Sequence, residues 1–148
     1  MKSSKNTLND NINRIIDANI NRAKEGLRVC EEITRFILEN KTLTARCKDL
    51  RHAMDNVVKK SGFRDKLIET RYARQDIGKN IYGNELKRRG LADIFFANIQ
   101  RVKESIRVLE EFAKLASTSS AVKFKKLRYE IYELEKAITQ KVLSLYNR

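Results

Sequence analysis

Proline is absent from this 148-residue chain, and only five glycines occur in it. These two residue types end helices and build tight turns, so their scarcity leaves few of the turns that a multi-stranded fold needs. Leu, Ile, Ala, Lys, Glu and Arg fill the long segments, and all of them except Ile are good helix formers. The composition therefore predicts an all-α fold, with enough residues for one domain and a real core.

Cysteine is also scarce, and its spacing excludes the usual cysteine chemistry. Cys30 and Cys47 form neither a CxxC motif nor a metal-binding spacing, and both lie on apolar helical stripes, which is typical of reduced core thiols. The first residues lack the apolar run of a secretory signal, and nowhere do eighteen apolar residues follow one another. We therefore expect a soluble cytoplasmic protein without a disulfide and without a membrane partner.

The common nucleotide and zinc motifs are missing as well. The chain contains no GxxxxGK[ST], no GxGxxG and no HExxH. A formal net charge of +13 nevertheless predicts attraction to polyanions, either nucleic acid, acidic membranes or phosphorylated metabolites. A solvated lysine-rich surface would explain part of this charge, so the sign of the charge is informative and the partner stays open.

Apolar residues recur every three or four positions in four long segments, as in helices with one buried face. The first segment begins near Leu8, and the second is capped by Thr42 or Thr44 and ends before residues 61–62. The third begins after Gly90, and the fourth follows the Ser/Thr cluster at residues 117–120. Between the two pairs, residues 61–90 hold four of the five glycines and many bases, which predicts a short helix followed by a mobile basic connection.

The two helix pairs resemble each other in sequence. ANINRAKEGLRVCEE, from Ala18, aligns without a gap on ANIQRVKESIRVLEE, from Ala97, and a Lys-x-Leu-Arg motif recurs at residues 48–51 and 125–128. Asparagine is a poor helix former, so its recurrence at one helical position indicates a role for its side chain. We therefore predict a pseudo-two-fold four-helix bundle made of two antiparallel hairpins, residues 8–60 and 91–147, within one domain.

A polar stripe borders the apolar face of the first helix and is repeated in the third. Gly26 is unfavourable inside a helix, and its position predicts a close approach by another helix or by a ligand. If the pseudo-axis brings the two stripes together, one cleft would bind anions through arginines and Mg²⁺ through carboxylates. The residues expected to line it are Asn19, Arg22, Glu25, Asn98, Arg101 and Glu104.

Simpler interpretations compete with this cleft. Arg22 with Glu25, and Arg28 with Glu32, have the spacing of ordinary surface ion pairs within a helix. The single histidine, His52, corresponds to Tyr129 in the second copy, which favours packing over catalysis. The segment RYARQDIG, residues 71–78, would fold over a triphosphate or would be an ordinary basic loop.

Several motifs together resemble a known family. DANINRAKEGLRVCEEITRF, the Arg51-His52 pair, Asp76-Ile77-Gly78, and Leu91-Ala92-Asp93 leading into FANIQRVKESIRVLEEFAK are similar to the small helical hydroxymethylpyrimidine-phosphate kinases of thiamin biosynthesis, which are often fused in front of thiamin-phosphate synthase. The resemblance implies transfer of the ATP γ-phosphate to 4-amino-5-hydroxymethyl-2-methylpyrimidine phosphate. Because the chain lacks an eight-fold βα pattern, we expect a phosphomethylpyrimidine kinase and not a thiamin-phosphate synthase by itself, with the synthase as a functional partner.

The resemblance also implies roles for individual residues, with ATP and Mg²⁺ as cofactors. Phosphoryl transfer to an anionic acceptor needs charge neutralisation and alignment more than proton removal. On this interpretation Arg22, Arg101, Glu25 and Glu104 are catalytic; Asn19, Asn98, Arg28, Arg107, Arg51, His52, Arg71, Asp76 and Gly78 bind substrate or nucleotide; and Glu25, Glu104 and Asp76 hold the metal.

Two other functions remain open at this point. A basic helical domain that binds nucleic acid would use the connection and the cluster at Lys123, Lys125, Lys126 and Arg128, although the repeated glutamates argue against a nucleic-acid partner. A mutase or isomerase acting on a dianionic metabolite would need no ATP. The sequence also leaves open whether the chain forms a homodimer.

Overall fold

Five helices make up this computed structural model, which describes residues 4–61, 64–80 and 83–146. They are α1 (Ser4–Glu32), α2 (Lys41–Ser61), α3 (Arg64–Glu69), α4 (Leu91–Ala113) and α5 (Thr118–Tyr146). A π-helical turn, Ile33–Ile37, extends α1, and two 3₁₀ turns, Ala73–Gln75 and Gly83–Leu86, lie in the connection. The described residues contain no strand, which confirms the predicted all-α fold, and none of their helices is long and apolar enough to cross a membrane.

The four long helices form a closed bundle. α1 packs against α2 and α4, and α5 packs against the same two helices. Within the α1–α2 hairpin, Lys24 contacts Asp55 and Glu31 contacts Arg51, so a later residue of α1 contacts an earlier residue of α2. The helices of this hairpin are therefore antiparallel. Contacts of Lys103 with Glu135 and of Glu110 with Arg128 establish the same relation for α4–α5.

The core takes its side chains from the apolar stripes of all four long helices, as the periodicity predicts. Leu27, Met54, Ile106 and Leu134 are among its fully buried members. The two thiols also lie in the core and form no disulfide, as predicted. Burial raises the pKa of Cys47 to about 11 and that of Cys30 further, so both thiols stay protonated at neutral pH.

Asn40 caps α2. Its Oδ1 accepts a hydrogen bond from the Leu43 backbone N–H at 2.9 Å. The prediction of a cap at Thr42 or Thr44 is wrong, because α2 begins earlier, at Lys41, and the Thr44 hydroxyl instead donates to the Asn40 carbonyl oxygen at 2.8 Å. At the start of α5 the cap comes from Ser117, whose hydroxyl accepts from the Ser120 backbone N–H at 3.2 Å.

Glu39, just before this cap, has a φ of 49°, and no other non-glycine residue in the described ranges has a positive φ. Glycine adopts this left-handed conformation without the steric cost that a Cβ imposes. We expect Glu39→Gly to raise the free energy of unfolding by about 0.5–1 kcal/mol, measured by urea unfolding. Glu39→Ala keeps the strain and removes only the charge, so a similar gain for alanine would contradict the backbone explanation.

Gly26 lies where α1 meets α4. A Cβ at this position would lie 2.6 Å from Val102 Cγ2 and 2.9 Å from the Asn98 carbonyl oxygen, which is closer than real Cβ contacts. The predicted close approach is therefore made by another helix. Ser105, at the equivalent position of α4, is also small and buried.

Several contacts recur at positions that the two halves share. Asn19 and Asn98 each donate from Nδ2 to the carbonyl oxygen four residues earlier, both at 2.8 Å. The Lys-x-Leu-Arg arginines, Arg51 and Arg128, each donate from Nε at 2.9 Å to a glutamate of the preceding long helix. These repeated contacts support the predicted duplication, which we infer for residues 8–60 and 91–147.

Candidate functional site

Two buried glutamates hold the hairpins together. Glu31 and Glu110 are 5% and 4% exposed, too buried for carboxylates without partners. Arg51 donates to Glu31 from Nε at 2.9 Å and from Nη2 at 2.8 Å. Arg51, which was predicted from the sequence to bind a ligand, therefore links α2 to α1. Arg128 makes the equivalent contact with Glu110 between α5 and α4.

The second pair has contacts in addition to those that the described residues give the first one. Arg107 Nη1 lies 3.1 Å from Glu110 Oε1, and the Tyr132 hydroxyl accepts from Arg128 at 2.8 Å. Burial by itself would raise the pKa of Glu110, but the hydrogen bonds and charges of Arg128 and Arg107 outweigh it, so the pKa is lowered. The resulting stabilisation is present above the ordinary glutamate pKa of about 4.3 and is lost as the pH falls through the lower pKa of the folded state.

Two more of the predicted phosphate-binding arginines form surface pairs. Arg28 lies 3.1 Å from Glu32, and Arg107 lies 3.0 Å from Glu111, each pair four residues apart on one helix. This is the ordinary helical pairing that the sequence also allowed. Pairing of Arg22 with Glu25, the other half of that alternative, does not occur.

Arg71 binds a carboxylate as well. Its Nε and Nη2 donate to the two oxygens of the buried Asp17 at 2.7 and 2.6 Å, and this bidentate contact fixes the connection to α1. The residue that follows, Tyr72, lies with its ring centroid 5.7 Å from the guanidinium of Arg14. Because Phe96 occupies the place of Asp17 in the second copy, only the first copy holds the connection in this way.

The remaining residues of the predicted phosphate loop form hydrogen bonds with one another. Asp76 Oδ1 accepts a hydrogen bond from the Gly78 backbone N–H at 2.8 Å, which is an Asx turn. Lys79 Nζ donates to the Arg74 carbonyl oxygen at 2.6 Å. His52 is exposed on α2. Within the described ranges no hydrogen bond or ion pair links these residues to the stripe residues of α1 and α4.

Arg22 and Arg101 differ from the other arginines predicted to bind phosphate. Neither has a hydrogen bond or an ion pair to any residue that the structure describes. Arg22 precedes Gly26 by one helical turn, and Arg101 follows Asn98, whose carbonyl oxygen approaches Gly26. Arg22 and Arg101 therefore lie at helix positions beside the contact between α1 and α4. We call the surface at this contact the α1–α4 face, and its residues are Arg22, Glu25, Asn98, Arg101 and Glu104.

The carboxylates of this face do not make a metal centre. Glu25 is exposed, and Glu104 accepts a hydrogen bond from Gln100 Nε2 at 2.9 Å. Across the described ranges no three His, Cys, Asp or Glu side chains come together in a group that could hold a metal ion. Glu25, Glu104 and Asp76 therefore do not form a three-ligand protein site, and their binding of Mg²⁺ stays a prediction.

A cavity that the sequence did not predict lies at the start of α2. Its volume is about 600 Å³, and it lies beside the π-helical turn. Three cations line it, Arg35, Lys41 and Lys48, together with Glu31 and Glu39. Glu31 and Arg35 belong to the DANINRAKEGLRVCEEITRF segment and Lys48 to a Lys-x-Leu-Arg motif, but only the fold brings the end of the π-helical turn beside the first two turns of α2.

Comparisons with known proteins give consistent names. A model of the ThiD2 family matches residues 14–137. A thiamine-phosphate synthase of Synechocystis sp. is 41% identical over 86% of this chain and 36% of its own length, and one of Thermosynechococcus vestitus is 41% identical over 86% and 35%. One of Nostoc punctiforme is 37% identical over 90% and 37%. The chain thus spans about a third of the length of these relatives, and no solved structure matches it.

These names contradict the predicted phosphomethylpyrimidine kinase. Proteins that are 37–41% identical over most of the chain are named for a different enzyme, thiamine-phosphate synthase. The structure gives a physical reason for the error. Arg51, Arg71 and Arg107, which were assigned to phosphates, contact buried carboxylates of the chain itself, so part of the motif maintains the fold, and Arg28 forms a surface pair with Glu32.

Proposed function

Because the chain belongs to the ThiD2 family, we propose that it acts in thiamin biosynthesis and binds a phosphorylated pyrimidine for thiamine-phosphate synthesis. The ligand class is hydroxymethylpyrimidine phosphate, and the binding surface is the α1–α4 face. The chain corresponds to about a third of the synthases it resembles, so it supplies a helical binding unit within that process.

One observation carries this proposal. Of the six arginines predicted to bind a phosphate, four are bound to carboxylates of the chain, and Arg22 and Arg101 have no partner among the described residues. The two are equivalent positions of the duplicated segment and lie on the two helices that meet at Gly26. Because the other four of these six arginines already contact carboxylates, this pair is the part of the predicted set that is able to bind an external anion.

The chemistry of the α1–α4 face suits a ligand that has both an anionic and a donor end. Guanidinium groups bind phosphate oxygens through paired N–H donors, and they stay charged at any physiological pH. Carboxylates such as Glu25 accept hydrogen bonds from an exocyclic amine, the group at position 4 of the pyrimidine. The +13 charge of the chain draws the phosphate towards this surface.

The proposed binding function assigns no role to ATP or Mg²⁺. The predicted carboxylates do not form a metal-binding group, and Arg71 of the predicted triphosphate loop is bound to Asp17. Both cofactors stay predictions that come from the resemblance alone.

Titration calorimetry tests the proposal with hydroxymethylpyrimidine phosphate, free hydroxymethylpyrimidine and inorganic phosphate as ligands. We expect the phosphorylated pyrimidine to bind most tightly. Arg22→Ala and Arg101→Ala should each weaken its affinity by about 10- to 100-fold, because each loses a charge-assisted hydrogen bond of roughly 1.5–3 kcal/mol.

Arg28→Ala is the matched control for Arg22→Ala. It removes an arginine of the same helix that is already paired with Glu32, so the affinity should stay within about 2-fold of the parent. Equal losses in all three variants would contradict specific binding at the α1–α4 face and would indicate general attraction to a basic surface. Formation of the pyrimidine diphosphate when ATP is added would contradict a role limited to binding.

A further inference from the structure

The outer side of α2 and α5 contains an open groove that the proposed function does not use. It has a volume of about 590 Å³. Its apolar lining comes from Leu50, Ala53 and Tyr129, and Tyr129 is 55% exposed. An exposed aromatic ring beside aliphatic side chains is a surface that gains free energy when a partner covers it.

The rim of this groove is acidic, although the chain is strongly basic. Asp49, Glu130 and Glu133 line it with one cation, Arg46, whereas the whole chain has 32 Lys and Arg against 19 Asp and Glu. None of the three carboxylates has an ion pair within the described ranges. The groove therefore matches an occupant that combines an apolar side chain with neighbouring positive charges.

One exposed segment of the chain has this pattern. Leu86 ends a 3₁₀ turn with 73% of its side chain exposed, and Lys87, Arg88 and Arg89 follow it at the surface. We refer to these four residues as the basic segment. Leu86 provides an apolar side chain for the lining of the groove, and Lys87 and Arg89 provide positive charges for its carboxylates.

The basic segment of one chain cannot reach the groove of the same chain. It precedes α4 directly, and the start of α4 is held at the far end of α5, where the Ala92 backbone N–H donates to the Tyr146 hydroxyl at 3.3 Å. Thirteen residues of α5 separate Glu133 from Tyr146, which is about 20 Å at 1.5 Å per residue. Another copy of the chain can supply the segment.

We propose that two copies form a symmetric dimer in which the basic segment of each lies in the α2–α5 groove of the other. A two-fold axis gives this contact twice, because each copy then contributes one basic segment and one groove. The α1–α4 face lies on the other pair of helices and stays accessible in this dimer. Dimerisation and ligand binding are therefore separate properties of the chain.

Light scattering after size exclusion tests the dimer by measuring the mass of the full chain. We expect twice the 17.3 kDa of one chain for the parent. The double variants Glu130→Lys/Glu133→Lys and Lys87→Glu/Arg89→Glu should each be monomeric, because like charges then face each other in both contacts. An equal mixture of the two variants should form a heterodimer, since both of its contacts again pair opposite charges.

Lys59→Glu/Lys60→Glu is the matched control for Lys87→Glu/Arg89→Glu, because it makes the same change in net charge at exposed positions at the end of α2. This variant should remain dimeric, and circular dichroism should give the same helix content for all variants. A monomeric parent would overturn the proposal. A dimer that survives both charge reversals, or a mixture that stays monomeric, would also overturn it.

Discussion

Replacement of Arg51 by methionine is expected to lower the free energy of unfolding by about 3–5 kcal/mol. Glu31 is 5% exposed, and Arg51 is the one cation that contacts it among the described residues. Methionine fills much of the arginine volume but leaves the carboxylate buried without a partner. Urea unfolding at pH 7, followed by circular dichroism, measures the loss.

Arg128→Met is the internal control for this prediction. It breaks the equivalent pair, but Glu110 keeps Arg107 at 3.1 Å, so the loss should be clearly smaller. Glu31→Leu combined with Arg51→Met removes both charges and should recover most of the stability lost in the single variant. Equal losses at Arg51 and Arg128, or no recovery in the double variant, would show that buried charge is not the cause.

Gly26→Ala is expected to destabilise the bundle by about 1–3 kcal/mol, although alanine is the better helix former by about 1 kcal/mol. The new methyl group would lie 2.9 Å from the Asn98 carbonyl oxygen, a backbone atom that moves only if α4 shifts away. The same shift should weaken ligand binding, because it separates Arg22 from Arg101. Thermal unfolding and calorimetry measure the two effects on one protein sample.

A second substitution separates the side-chain clash from the backbone clash. The Cβ would also lie 2.6 Å from Val102 Cγ2, and Val102→Ala in the Gly26→Ala background removes that contact. The rescue should be incomplete, since the Asn98 oxygen remains. A stable Gly26→Ala protein with unchanged affinity would contradict the close approach of α1 and α4.

Hydrophobic periodicity predicts the helices and the core because it depends only on neighbours along the chain. Leu27, Met54, Ile106 and Leu134 lie in the core for that reason. The cap of α2 was predicted wrongly because threonine and asparagine are both good caps, and the choice of Asn40 depends on how the π-helical turn ends. Such a choice depends on tertiary structure and has no clear signal in a single sequence.

The site was harder to predict than the fold, because sequence patterns identify arginines but not their partners. The repeated Lys-x-Leu-Arg motif marked Arg51 and Arg128, yet only the packing of each hairpin brings a buried glutamate to each of them. Asp17 and Arg71 are 54 residues apart in the chain, so no local pattern predicts their contact. Of the six arginines predicted to bind phosphate, Arg22 and Arg101 are the two without a partner among the described residues, and their role as ligand contacts stays a prediction.

Nitrogen-detected NMR of the arginine side chains tests the central claim most directly, with Nε–Hε resonances assigned from single variants. During titration with hydroxymethylpyrimidine phosphate, the account predicts that the resonances of Arg22 and Arg101 shift together and saturate, while those of Arg51 and Arg128 stay in place. Shifts at Arg51 or Arg128, or uniform small shifts at every exposed arginine, would contradict binding at the α1–α4 face.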